Sequence, residues 1–189
     1  MNSIRMNILV FCSAQEVPEK YSNVAQEFGT LIGKHGHALV WGGTDRGLMH
    51  VVSESAKLAD AKLIGITTET LKHKLRHDVD ESFVAADLSE RKKLMLEHGD
   101  ALVVLSGGLG TLDEATEMLA LKRNGVHAKP IVFLNTDGFY EGLHTQMQRM
   151  NDDGFLGDMD HDLKSGMDVA YFADSPKTAM EYINSYHGN

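Results

Sequence analysis

Short apolar runs alternate with longer amphipathic stretches along the chain, and no other feature constrains the fold as strongly. The apolar runs predict strands at residues 7–12, 38–41, 62–67, 82–86, 101–105, 131–135 and 169–172. Helices are predicted from Pro18 to a stop at Gly36, at 48–59, 88–98, 111–123 and 139–150, and after Ser175 and Pro176. Strands that are apolar throughout indicate a mainly parallel sheet with helices on both faces. The predicted fold is therefore α/β, doubly wound and Rossmann-like.

The length of 189 residues suits one domain. We expect residues 1–189 to form a single nucleotide-binding α/β domain, since no linker, repeat or low-complexity segment interrupts the pattern. Residues 68–80 are polar, include His73 and His77, and have no predicted structure. The acidic stretch 151–168 is predicted to be a surface loop.

The chain is acidic, with 18 Lys and Arg against 27 Asp and Glu and a formal net charge of −9. An acidic surface repels a phosphate backbone, so we expect no nucleic-acid partner. A local positive site can still hold a small phosphorylated ligand. The one cysteine, Cys12, excludes an internal disulfide and a multi-cysteine zinc site.

Membrane association is not expected, because no apolar run approaches the roughly 18 residues that span a bilayer. The N-terminal apolar segment is too short for a convincing signal peptide, and the expected location is cytoplasmic.

A glycine-rich turn, Ser-Gly-Gly-Leu-Gly-Thr-Leu-Asp-Glu at residues 106–114, follows a buried strand and opens a helix. Glycines allow backbone N–H groups to approach an anion, and a helix N-terminus adds unpaired donors and a positive dipole end. A phosphate here would be held by backbone atoms and the Thr111 hydroxyl. The alternative is a tight strand-to-helix turn with a Thr111–Glu114 capping box and no ligand.

Two common phosphate-binding patterns are absent from this turn. No Lys-Ser/Thr follows the glycines as in a P-loop, and Asp113 stands at the third glycine of the dinucleotide fingerprint. An NTPase and a nicotinamide dehydrogenase are therefore disfavoured.

Other small-residue turns should meet the first at one sheet edge, where ligands of such folds bind. They are the turn at residues 42–47 and the pair Ser13-Ala14. Arg91, at the start of a helix, carries a planar fork that suits a phosphate or carboxylate. The charge run around it is also typical of a solvated helix face, and Asp87 with Glu90 matches a capping box.

Glu90-Arg91-Lys92 and the turn at residues 106–114 together resemble the Lonely Guy family. Its members carry Pro-Gly-Gly-x-Gly-Thr-x-x-Glu with an upstream Arg-Lys, and are often mislabelled lysine decarboxylases. Further matching segments are Val-Phe-Cys-Ser at 10–13, Trp-Gly-Gly at 41–43, Gly-Leu-Met at 47–49, Lys-Pro at 129–130 and Asn-Thr-Asp-Gly-Phe-Tyr at 135–140. The resemblance runs from about residue 8 to residue 155.

The resemblance implies a homodimer that hydrolyses nucleoside 5′-monophosphates, AMP or N6-substituted AMP, to a free base and ribose 5-phosphate. It implies that Arg91 and Glu114 occupy the catalytic positions. Substrate and phosphate would be held by Ser13, Gly43, Lys92, Gly107, Gly108, Gly110 and Thr111. No cofactor and no metal are expected.

The chain departs from the family pattern at Ser106, which replaces a proline, at Thr44, which replaces a third glycine, and throughout residues 68–80. The last two leave the identity of the base open. The carboxylate of Glu114 can stabilise the positive charge that develops on a ribose during glycosidic cleavage.

Two other functions stay open from the residues. A nucleotide or cofactor carrier would use the same glycine loops without cleaving its ligand. Cys12 could act as a nucleophile, although buried cysteines usually serve as small apolar residues. Lysine decarboxylation is disfavoured, because no lysine has a convincing pyridoxal phosphate context.

Overall fold

The computed structural model describes residues 5–156 and 166–186. Its strands are β1 Asn7–Phe11, β2 Ala38–Trp41, β3 Lys62–Thr68, β4 Glu81–Ala85, β5 Ala101–Val104, β6 Ile131–Leu134 and β7 Tyr171–Ala173. Its helices are α1 Glu19–Lys34, α2 Gly47–Leu58, α3 Leu88–His98, α4 Leu109–Arg123, α5 Glu141–Asp152 and α6 Pro176–Ser185. This architecture confirms the predicted doubly wound α/β fold.

The sheet is parallel throughout, and its order β4-β3-β2-β1-β5-β6-β7 defines where a ligand can bind. The chain winds outward from β1 to β4 and then returns to place β5 on the other side of β1. The β1–β5 pair is therefore the topological switch point. In doubly wound sheets the binding crevice lies outside the carboxyl ends of the strands at this point.

Both faces of the sheet are buried at its central strands, which explains why β2, β5 and β6 are apolar throughout, whereas the edge strand β4 begins with exposed Glu81 and Ser82. Ile8 and Val10 of β1 pack on one face with residues of α1, α2 and α6. Leu9 and Phe11 pack on the other face with Met95 of α3 and with residues of α4.

The helix starts test three predicted caps. Asp87 accepts a hydrogen bond from the Glu90 backbone N–H at 2.8 Å, and Ser175 caps α6 by accepting from the Thr178 N–H at 3.2 Å, so both of these are confirmed. The Thr111–Glu114 capping box is wrong. Helix α4 begins at Leu109, with Gly108 as its N-cap and no side-chain cap, so Thr111 already lies inside the first turn.

Residues 68–80 contain one short 3-10 turn, Lys72–Lys74, and otherwise fold back over the end of β2. Half of the predicted loop at 151–168 lies outside the described residues, since 157–165 are not described. Helix α5 runs to Asp152, and a 3-10 turn spans Gly166–Val169. Within the described ranges, no helix is long and apolar enough to cross a bilayer.

Candidate active site at the switch point

A cleft of about 290 Å³ lies at the carboxyl ends of β1 and β5. Its volume is near the lower end of the range for small-molecule sites. The lining consists of Cys12, Ser13, Ala14, Gln15, Met49, Arg91, Gly108, Gly110, Thr111 and Glu114. The strand topology thus brings together the loop after β1, the glycine turn after β5 and the Arg91 side chain.

The loop after β1 is joined by backbone hydrogen bonds to the glycine turn after β5 and to the first turn of α2. Ser13 N–H donates to the Ser106 carbonyl at 3.3 Å, and the Ser13 carbonyl accepts from Met49 N–H at 3.2 Å. Gly47 has a positive φ of 59°, and a Cβ at this position would overlap the Gln15 carbonyl. A glycine is required there, because the backbone of the turn after β2 packs directly against the backbone of Ala14 and Gln15 in the cleft wall.

The glycine turn after β5 leads directly into the N-terminus of α4. A Cβ on Gly107 would overlap the Thr111 hydroxyl, whereas Gly108 and Gly110 face open space. The first turn of α4 has no side-chain cap, so its N–H groups are available to donate hydrogen bonds to an anion. The buried Thr111 and the two open glycines line the cleft at this point.

Arg91 and Glu114 form a buried ion pair at the base of the cleft. Arg91 Nη1 donates to Glu114 Oε1 at 2.9 Å, and Arg91 Nε donates to the Ile66 carbonyl at 2.9 Å. The two residues are only 7% and 8% exposed. A Cβ on Gly42 would overlap Arg91 Nη2, so the guanidinium fits because Gly42 has no side chain.

Burial of the Glu114 carboxylate raises its pKa, and the Arg91 guanidinium partly offsets this effect. A carboxyl group with a raised pKa is suited to proton transfer near neutral pH. Burial also raises the pKa of the Cys12 thiol, and the nearby Glu114 charge adds to the shift. The thiolate of Cys12 is therefore disfavoured, which argues against a nucleophilic role.

The structure brings together six of the nine residues predicted for the site: Ser13, Arg91, Gly108, Gly110, Thr111 and Glu114. The other three lie beside the cleft and outside its lining. Lys92 pairs with Asp113 at 3.0 Å and with Glu117. Gly43 adopts a φ of 74° and faces Leu75, and Gly107 packs against Thr111.

Two supporting residues were not singled out from the sequence. Gly42 gives Arg91 its space, and the pair Gly42-Gly43 was the available signal. Tyr140 is buried and donates from its hydroxyl to the Leu105 carbonyl at 2.7 Å, which fixes the residue from which the glycine turn departs. Its contact crosses from the start of α5 to β5, so no local pattern indicates it.

Among residues 5–156 and 166–186, no group of three or more His, Cys, Asp or Glu side chains is arranged to hold a metal ion. The groups that the cleft presents are a buried carboxylate, a guanidinium and the uncapped N-terminus of α4.

A protein-family model described as possible lysine decarboxylase matches residues 49–183 of the chain. The chain is 37% identical over 152 residues to a cytokinin riboside 5′-monophosphate phosphoribohydrolase of Arabidopsis thaliana, covering 79% of this chain and 67% of that protein. It is 32% identical over 151 residues to the enzyme of the same name from Mycobacterium tuberculosis, covering 79% of this chain and 81% of that protein.

Solved structures with the same fold include two proteins named for the molybdenum cofactor. The molybdenum cofactor binding protein of Rippkaea orientalis matches with a TM-score of 0.73 at 25% identity, over 96% of this chain and 97% of that chain. The molybdenum cofactor carrier protein of Chlamydomonas reinhardtii matches with a TM-score of 0.67 at 23% identity, over 95% of this chain and 96% of that chain. These matches show that the fold is shared.

Proposed function

Because the chain belongs to the Lonely Guy family, whose family model is described as possible lysine decarboxylase, we propose that it hydrolyses the N-glycosidic bond of a nucleoside 5′-monophosphate. The substrate is AMP or an N6-substituted AMP, and the products are the free base and ribose 5-phosphate. The observation that carries the proposal is the buried Arg91–Glu114 pair beside the uncapped N-terminus of α4.

The phosphate binds at the start of α4, where Gly108, Gly110 and Thr111 offer backbone N–H groups and a hydroxyl. Ser13, on the opposite wall, contacts the sugar. This arrangement anchors the 5′ end of the ribose and turns C1′ toward Glu114. Gly107 supports the phosphate site from outside the lining through its contact with Thr111, and the resemblance assigns Gly43 and Lys92 to the rest of the nucleotide site.

Hydrolysis breaks the bond between C1′ and the base nitrogen and forms a bond between C1′ and a water oxygen. Positive charge develops on the ribose as the base departs, and the Glu114 carboxylate stabilises that charge. Glu114 then accepts the proton that the attacking water loses, and the departing base nitrogen takes up a proton from solvent water, so that the net reaction adds one water across the broken bond. Arg91 holds the carboxylate toward the cleft by its bond to Oε1.

Lysine decarboxylation is disfavoured by the state of the lysine nearest the site. Lys92 is paired with Asp113 and Glu117, and the Glu117 carboxylate is the first cause of its raised pKa. An ammonium held in this way is a poor Schiff-base nucleophile, because that reaction requires the neutral amine.

The family resemblance also implies a homodimer. From length, patterning and net charge we propose that the chain forms one domain, acts in the cytoplasm, and uses no cofactor and no nucleic-acid partner. Light scattering coupled to size exclusion measures the oligomeric state, with a mass of twice 20.8 kDa expected.

A carrier of a nucleotide-like cofactor is the second candidate, favoured by the likeness to the Rippkaea orientalis protein over almost the whole chain. The buried Glu114 discriminates the two functions, because a carboxylate beside the ligand's anion brings no benefit to a protein that only binds it.

Incubation with AMP, followed by chromatography of the products, tests the proposal. Adenine release that collapses in Glu114→Ala supports the hydrolase. Tight binding of AMP that remains intact supports the carrier.

A further inference from the structure

A second pocket, of about 350 Å³, opens on the far side of the turn after β2. We call it the cationic pocket. It is lined by Thr44, Asp45, Arg46, His73, Lys74, Leu75 and His77. It shares no lining residue with the cleft at the switch point, and residues 73–77 belong to the segment that departs from the family pattern.

Backbone hydrogen bonds fix the two segments that form the cationic pocket. Asp45 N–H donates to the Lys74 carbonyl at 3.0 Å, and Arg76 N–H donates to the Gly43 carbonyl at 2.8 Å. Thr44 and Leu75 form an antiparallel bridge between these bonds. The two backbone segments of the pocket, residues 43–45 and 74–76, are therefore fixed to each other.

Arg76 anchors the same segment from below. Its side chain is buried and donates from Nη2 to Glu54 at 2.5 Å and from Nε to Asp78 at 2.6 Å. These carboxylates pair with the Arg76 guanidinium and fix the segment to the fold. Lys74 and His77, on either side of Arg76, are exposed to solvent.

The basic side chains of the lining have no such partners. Arg46, His73, Lys74 and His77 are exposed, and none makes a side-chain hydrogen bond or ion pair with any described residue. By contrast, Lys57 and Lys72 are each paired with a carboxylate, Lys57 with Asp78 and Lys72 with Glu69. In a chain with a net charge of −9, a group of four unpaired basic side chains is a local exception.

The lining contains one carboxylate, Asp45, which already interacts with two other side chains. His50 contacts Asp45 Oδ1 from Nδ1 at 2.6 Å, and Arg76 Nη1 lies 3.8 Å from the same oxygen. Asp45 thus offsets these two groups more than it offsets Arg46 and Lys74.

We propose that the cationic pocket binds adjacent phosphate groups of a small ligand, either free pyrophosphate or the diphosphate of a nucleotide. Arg46 supplies a planar pair of donors from one wall, and Lys74 supplies an ammonium from the other. His73 and His77 add ring N–H donors at the same rim. The inference is independent of the proposed hydrolysis, because it requires nothing of the cleft.

Amide chemical-shift mapping of the full chain with sodium pyrophosphate tests the inference. The expected result is saturable shifts at residues 44–46 and 73–77. Shifts confined to residues 107–111, or no saturable shift at all, would overturn it. This measurement does not depend on turnover of AMP. A failure of pyrophosphate binding can therefore be distinguished from a failure of the proposed hydrolysis.

A double substitution, Arg46→Gln with Lys74→Gln, tests the charges directly. Loss of two charge-assisted contacts predicts pyrophosphate affinity at the pocket amides at least about tenfold weaker. Lys177→Gln on the distant helix α6 is the matched control and leaves affinity unchanged. Equal affinity in the double variant and wild type would refute the inference, provided that both give the same amide dispersion elsewhere.

The two sources are separated by repeating the titration with ADP and with adenosine. Tighter binding of ADP than of pyrophosphate at the pocket amides identifies a nucleotide diphosphate as the ligand, and equal binding identifies free pyrophosphate. Adenosine alone is expected to leave these amides unshifted, and a saturable shift with adenosine would contradict recognition of phosphate.

Discussion

Arg91 Nη1 donates to Glu114 Oε1 at 2.9 Å, and the same guanidinium donates from Nε to the Ile66 carbonyl at 2.9 Å. One side chain therefore ties the carboxylate on α4 to the carboxyl end of β3. Because both partners are buried, removal of either one leaves a charge without compensation. The pair keeps Glu114 in the cleft at a fixed distance from the helix terminus that we propose for the phosphate.

Replacing Glu114 by Gln is expected to lower AMP hydrolysis by roughly 10²-fold or more while the protein still folds. The amide keeps the size of the side chain and can accept from Arg91, but it neither carries negative charge nor accepts a proton from water. Initial rates of adenine release measure the effect, and circular dichroism checks the fold. Glu97→Gln on the exposed part of α3 is the matched control, and wild-type turnover by Glu114→Gln would remove Glu114 from the mechanism.

The stability of the protein should report the raised pKa of Glu114. Since the folded pKa lies above the ordinary value of 4.5, the folded chain retains a proton that the unfolded chain has already released. This contribution to stability is fully present below the unfolded pKa and is lost as pH rises through the folded pKa. The free energy of unfolding of wild type, minus that of Glu114→Gln, is thus expected to fall with rising pH across this window.

Urea denaturation of both proteins at a series of pH values measures that difference. Other titrating groups contribute equally to the two proteins and cancel. A difference that rises with pH would mean that Arg91 lowers the pKa of Glu114 more than burial raises it.

Gly42→Ala is expected to disrupt the active site with little loss of fold. The new methyl group would overlap Arg91 Nη2 and approach Met49 Cε at 3.1 Å, and both are the ends of flexible side chains. Displacement of the guanidinium releases Glu114, and we expect turnover to fall about tenfold or more, since small misplacements of catalytic groups are costly. Gly142→Ala on α5 meets nothing within 4 Å and is the control. Unchanged kcat/KM in Gly42→Ala would show that the position of Arg91 is not critical.

Cys12→Ala is expected to retain most of the turnover, because burial holds the thiol protonated. The folded protein should react slowly with iodoacetamide at neutral pH, and denaturant should expose the thiol to full reaction. Intact-mass spectrometry follows the modification. Rapid labelling of the folded chain, together with loss of activity in Cys12→Ala, would restore the cysteine as a candidate nucleophile.

The strands and most helices were predictable because the pattern that identifies them is local. Residues 38–41 form β2 as expected, because they are a short apolar run. Residues 88–98 form α3 as expected, because Asp87 caps the start of the helix. The start of α4 was placed two residues late. Leu109 is 85% exposed and Gly110 is a poor helix former, so neither residue carries the usual signal of a helix start.

The site was predictable as a set of loops and only partly as a set of contacts. The glycine turn followed from the position of its glycines between a strand and a helix, and the approach of Arg91 followed only from the family resemblance. The need for a glycine at position 42 could not be predicted, because it depends on the path of the Arg91 side chain from α3 past the end of β2. Residues 68–80 lack periodicity, and their path is set by pairing with the turn at 43–45, which only the folded chain shows.

A crystal structure of Glu114→Gln with AMP would show where the phosphate and the ribose lie. We expect the phosphate within about 2.7–3.2 Å of the backbone nitrogens at the start of α4, including that of Thr111, with C1′ facing the side-chain amide introduced at position 114. A phosphate bound away from the start of α4, or a ribose turned from that amide, would contradict this expectation.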